Sequence, residues 1–122
     1  YHMAGIKHPA KEVDVAELYD VYAYKELKYY EALGFCGDGE AGKLIDEGVT
    51  ELGGSLPVNP SGGILGEGNA VGTSGLIRAA NAAYQIRGEA GDFQVPGAEI
   101  AVAQGWGGMP TYCGGVVVLS RW

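Results

Sequence analysis

Hydrophobic and polar positions change their rhythm several times along this chain, and each change marks an element. Residues 13–22 alternate as a strand does, with Val13, Val15, Glu17, Tyr19 and Val21 on one side and Ala16, Leu18 and Tyr22 on the other. The period then lengthens. Ala23, Leu27 and Tyr30 recur at helical spacing, Lys and Glu take the opposite face, and Gly34 supplies a C-cap. Residues 37–55 are polar, glycine-rich and acidic, anchored by Leu44, Ile45, Val49 and Leu52, and predict an excursion over the surface that serves a ligand or simply connects. Helical spacing returns over residues 75–87, where Leu76, Ala80, Ala83 and Tyr84 form the apolar stripe and Thr73 and Ser74 are candidate caps. After the GEAG and VPG turns, residues 98–104 and 113–119 read as strands of small and β-branched residues, suited to a sheet covered on both faces. A tight GWGGMP loop joins them.

Composition sharpens this picture at one place. Residues 59–75, NPSGGILGEGNAVGTSG, hold too much glycine for the interior of a helix or strand, so they predict a loop whose backbone closely approaches a ligand. The loop ends at a helix N-terminus, where unpaired N–H groups favour an anion or a developing negative charge. At 122 residues the chain has the size of one small domain. A net charge of −7 argues against a nucleic-acid partner, and the absence of a long apolar run argues against a membrane span. Cytoplasm is the expected location. Cys36 and Cys113 lack metal-type spacing and read as free thiols, Cys113 as an unreactive one, and His2 and His8 lie in a leading segment with no chemistry expected of it.

The spacing of Asn59, Gly62, Gly63, Gly68, Gly72, Ser74 and Gly75 resembles the C-terminal active-site signature of the thiolase superfamily, N-x-x-G-G-x-x-x-x-G-H-P-x-G-x-S-G. Asn69 and Ala70 stand where that signature has His-Pro. Residues 13–34 resemble the family segment that carries Asn-Glu-Ala-Phe, or His-Asp-Cys-Phe in the sterol-carrier type, which places Tyr19 on the Asn or His, Asp20 on the acid and Tyr22 on the Phe. The GWGGMP loop is similar to the family's Cys-x-Gly-Gly-Gly-Met-Gly turn, with Gln104 on the cysteine. The resemblance implies an α/β fold, the later part of the C-terminal half of a thiolase: a mixed sheet with packed helices. Its divisions would be a leading segment at 1–12, strand and helix at 13–34, the excursion at 35–55, the glycine-rich loop at 56–75, the helix at 75–88 and the final strand pair at 98–122. The nucleophile-bearing half is not in this chain, which is expected to be a fragment or one piece of a split enzyme with a sheet edge and face left uncovered.

The same resemblance implies a coenzyme A thioester substrate and no cofactor or metal held by this chain. Tyr19, Asn69 and Gln104 would take the catalytic positions. Gly68, Trp106, Gly107, Met109 and Tyr112 would surround the substrate or its oxyanion. Neither amide can take a proton from a thiol, but each can donate to an oxyanion, and only the Tyr19 phenol can transfer a proton. Three functions stay open: a variant thiolase acyltransferase, a thiolase-like retro-aldolase acting on a β-hydroxyacyl-CoA, and a non-catalytic subunit. Plainer roles compete with these: Tyr19 as a buried tyrosine, Asn69 as a helix cap and Trp106 as packing. Expected partners are the rest of the thiolase fold, further copies in an oligomer, and the zinc-bearing OB-fold companion found with sterol-carrier-type relatives.

Overall fold

The computed structural model describes residues 1–107 and 113–121. Its frame is a three-stranded sheet of Val15–Glu17 (β1), Ile100–Gly107 (β2) and Cys113–Ser120 (β3), in the order β1-β2-β3. β1 runs parallel to β2 with Val15 opposite Ala101, and β3 runs antiparallel to β2 with Gln104 opposite Val116. The sheet is therefore mixed. Five helices accompany it: Pro9–Glu12 (α1), Ala23–Ala32 (α2), Ala41–Asp46 (α3), Gly63–Glu67 (α4) and Ser74–Arg87 (α5).

Successive strand residues point to opposite faces, and each face has its own core. On one, Ala16, Leu18 and Val102 pack with Tyr30, Leu33, Phe35 and Leu56. On the other, Val15, Ala101 and Ala103 pack with Ala82 and Ile86 of α5. Small residues on β2 let α5 lie close. A Cβ on Gly105 would stand 3.0 Å from the Cα of Gly75, so the helix starts almost backbone to backbone on the strand.

The expected strand at 13–22 shortens to β1 because side chains take over its hydrogen bonds. Asn59 Oδ1 accepts the Leu18 N–H at 2.6 Å, and Gln104 Oε1 accepts the Tyr19 N–H at 3.1 Å. Both residues leave the ladder with their N–H groups satisfied. The excursion holds the short helix α3, whose Ala41 is buried and whose Leu44, together with Val49, packs on the core; Ile45 and Leu52 do not.

The glycine-rich stretch also departs from the expected loop, since it contains α4 and a 3-10 turn at Val71–Thr73. A carboxylate explains the helix. Asp20 Oδ1 accepts the Ile64 N–H at 2.5 Å at the start of α4, and a Cβ on Gly63 would lie 2.3 Å from Asp20 Oδ2. What the backbone of Gly63 closely approaches is thus a side chain of its own chain, and φ of +62° adds a second demand for glycine there.

The apolar stripe assigned to α5 is not its packing face. Leu76 and Tyr84 are 69% and 46% exposed, whereas Ser74, Arg78, Ala82, Gln85 and Ile86 are buried. A buried cation reverses the reading. Arg78 Nη1 donates to Glu17 Oε2 at 2.9 Å and to Ser61 Oγ at 3.2 Å, Arg78 Nη2 bonds Glu67, and Ser61 Oγ donates to Glu17 Oε2 at 2.7 Å. Burial pushes the Glu17 carboxyl upward, against the pull of Ser61 and Arg78. Thr73 makes no side-chain cap, and Ser74 begins the helix with its hydroxyl turned to Asn69. The last strand differs as well. β3 is exposed over Cys113–Val117, so the sheet is covered on both faces only at β1 and β2.

Breaking the Arg78 network leaves a carboxylate buried without its cation. Arg78→Met is expected to cost about 3–5 kcal/mol in denaturant unfolding, and adding Glu17→Leu should restore most of that loss. Gly63→Ala should destabilise by about 1–3 kcal/mol, with a smaller penalty in an Asp20→Ala background, where the obstructing carboxylate is gone.

Candidate functional site

Three segments distant in sequence meet beyond the end of β1. The Tyr19 hydroxyl donates to Asn69 Oδ1 at 3.1 Å, and the Tyr19 ring meets Trp106 edge to face with centroids 5.4 Å apart. Around this junction lies a cleft of about 200 Å³ lined by Tyr19, Val21, Tyr22, Asn69, Val71, Gly72, Trp106 and Gly107. Each wall has a local cause. Tyr19 is held by its backbone bond to Gln104, Trp106 stands in register with Gly114 in the β2–β3 ladder, and Asn69 sits between α4 and the 3-10 turn.

Asn69 is fixed by its oxygen. Oδ1 accepts the Val71 N–H at 2.9 Å, the Ser74 hydroxyl at 3.0 Å and the Tyr19 hydroxyl. The bond to Val71 closes an Asx-type turn, in which Val71 takes a φ of +51° despite its branched side chain. Among the described residues no acceptor takes Asn69 Nδ2, so the amide N–H groups of a residue on the cleft wall are left to donate. Ser74, whose spacing in the glycine-rich signature marked it only as a cap, is buried and acts on Asn69 instead.

The other predicted positions separate. Gln104 is buried and does not line the cleft: Oε1 holds the Tyr19 backbone and Nε2 donates to the Gly105 carbonyl at 3.0 Å. Its work is positional. Burial also pushes the neighbouring Tyr29 phenol upward, with Gln104 among the groups that draw it back. Gly68 ends α4 outside the cleft, whereas Gly107 lines it. Met109 and Tyr112 lie outside the described residues. Trp106 belongs to a strand that runs through Gly107, so the first three residues of GWGGMP are strand. Sequence reasoning missed Val21, Val71 and Gly72 as lining residues and assigned Tyr22 no chemistry; tyrosine in place of the family's Phe was the one available signal.

A second hollow of about 370 Å³ adjoins the cleft across Gly72, Trp106 and Gly107, and exposed Cys113 lines it. The expectation of a covered, inert Cys113 is thereby corrected in its first part. Among the described residues no group of His, Cys, Asp and Glu could hold a metal ion. No helix among them is long and apolar enough to cross a membrane.

Comparison with known proteins bears on the fold and the family. The chain is 42% identical over 120 residues to sterol carrier protein 2 of Homo sapiens, covering 98% of this chain and 21% of that protein. It is 40% identical over 97 residues to acetyl-CoA acetyltransferase of Methanothermobacter thermautotrophicus, covering 80% of this chain and 25% of that one. The fold superposes on the solved Ltp2-ChsH2(DUF35) aldolase with a TM-score of 0.83 at 32% identity, over 98% of this chain and 29% of that chain. The chain thus spans about a fifth of the length of the sterol carrier protein. The thiolase C-terminal domain-like family matches residues 1–121, and with the mixed sheet and the glycine-rich signature in place the chain belongs to that family.

Proposed function

We propose that the cleft carries out carbon–carbon bond chemistry on a coenzyme A thioester, and that cleavage of a β-hydroxyacyl-CoA is the reaction its residues fit best. The observation that carries this reading is the Tyr19 hydroxyl bonded at 3.1 Å to an Asn69 whose oxygen is already anchored. Among the described lining residues only the phenols of Tyr19 and Tyr22 can exchange a proton, and none is a His or Cys. In the cleavage direction the substrate's β-hydroxyl loses its proton to a phenolate, the Cα–Cβ bond breaks, a carbonyl product leaves, and the electron pair becomes the enolate of the acyl-CoA. Return of that proton from the phenol to the α-carbon completes the reaction and regenerates the phenolate. Tyr19 is placed for the proton at oxygen, and the free Asn69 amide for the enolate oxygen.

Thiolytic acyl transfer is the second reading, favoured by the 40% identity to an acetyl-CoA acetyltransferase. It takes its nucleophile from another segment or chain. The exposed apolar residues Leu76 and Tyr84 on α5 and Val116 and Val117 on β3 are the surfaces that such a segment, or a companion subunit, would cover.

In the complete protein, Tyr19→Phe should lower kcat for β-hydroxyacyl-CoA cleavage by about 100-fold or more, and Asn69→Ala by a similar factor with KM changed less. In a Cys113→Ser background, which removes the exposed thiol of the adjoining hollow, iodoacetamide should leave that activity intact. If alkylation abolishes turnover while Tyr19→Phe does not, acyl transfer replaces cleavage as the reading.

A further inference from the structure

One cation stands at the rim of the cleft. Lys25, half-buried in the first turn of α2, places Nζ 5.3 Å from the ring centroid of Trp106 and 5.8 Å from that of Tyr24. Tyr24 in turn stacks on Tyr22 with an interplanar angle of 11° and a centroid separation of 5.8 Å. Of the two rings that hold the ammonium, Trp106 lines the cleft, and Tyr24 meets it only by stacking on the lining residue Tyr22. Among the described residues Lys25 has no carboxylate partner. The acids beside it in sequence are engaged elsewhere, Asp20 at the Ile64 N–H and Glu26 at the Tyr30 hydroxyl. An ammonium held by aromatic faces keeps its N–H donors for an anion, and charge-assisted bonds to such a donor are the strong ones.

We propose that Lys25 determines specificity by selecting acyl groups that carry a carboxylate, a reading that rests on the coenzyme A thioester function above. Distance decides which anion it meets. Lys25 lies two ring contacts from Tyr19, through Trp106. The pantetheine arm is about a dozen bonds, on the order of 15 Å when extended, so the phosphates of a thioester poised at Tyr19 lie well beyond that. A carboxylate a few carbons along the acyl chain falls nearer. The chain's net charge of −7 repels anions at long range, so a local cation is what makes a negatively charged acyl group acceptable.

Glutaryl-CoA and pentanoyl-CoA have the same carbon count and differ by one terminal carboxylate. Titration calorimetry on the complete protein should show glutaryl-CoA binding about tenfold more tightly, a preference that weakens with salt. Lys25→Met should erase the preference and leave pentanoyl-CoA affinity unchanged, and Lys25→Arg should retain it. Equal affinities in the unaltered protein would overturn the role of Lys25 while leaving the thioester site standing. An equal loss for both ligands and for free coenzyme A in Lys25→Met would overturn it too, assigning Lys25 to the nucleotide end. If neither thioester binds, both this inference and the function beneath it fall.

Discussion

The structure depends on a cation placed where no water reaches it. Arg78, 1% exposed, reaches from α5 to Glu17 at the end of β1 and to Ser61 and Glu67 in the glycine-rich stretch. Helix, strand and loop are thereby tied at one point, and the two residues after Glu17 are Leu18 and Tyr19. Taking Arg78 and Glu17 out of water costs several kcal/mol each, and only close, multiply bonded partners offset that cost. The network therefore tolerates little displacement of α4 against α5, and Asn69 lies between those helices.

Around that tie, the glycine-rich stretch spends most of its freedom on the protein itself. Gly63 makes room for the Asp20 carboxylate that starts α4, Gly75 lets α5 begin against the backbone of Gly105, and Asn59 clamps the stretch to β1 through Ala16 and Leu18. Gly72 remains open to the cleft and to the adjoining hollow. In this chain the glycine-rich spacing is, in physical terms, mostly a set of close approaches around the side chain of Asn69. Its three donors are a backbone N–H and the hydroxyls of a buried serine and of Tyr19.

Much of the outline was legible in the chain. A strand within residues 13–22, the helix over Ala23–Ala32, the helix ending before Gly88 and the final strand pair follow from hydrophobic periodicity and turn residues. The Tyr19, Asn69 and Trp106 segments were legible as candidates through their resemblance to the family's motifs. The buried face of α5 was not, because a periodicity argument scores arginine as solvent-facing, and Arg78 is buried through partners 11 and 61 residues away. The short helix α4 was hidden for a related reason: its start is satisfied by Asp20, 44 residues earlier, so local propensity carries no trace of it.

By itself, then, the sequence determined the main strands and the two longest helices, and its resemblance marked the family and three candidate segments, since such patterns are written in local spacing that survives unfolding. Tertiary structure alone decided which way those segments face. It turned Gln104 from a cleft residue into the support of Tyr19, brought the Asn69 oxygen to the Tyr19 hydroxyl, and stood Lys25 against Trp106. Such outcomes are hydrogen bonds and ring contacts between residues dozens of positions apart, and a long-range contact exists only once the chain has closed the loop between its ends.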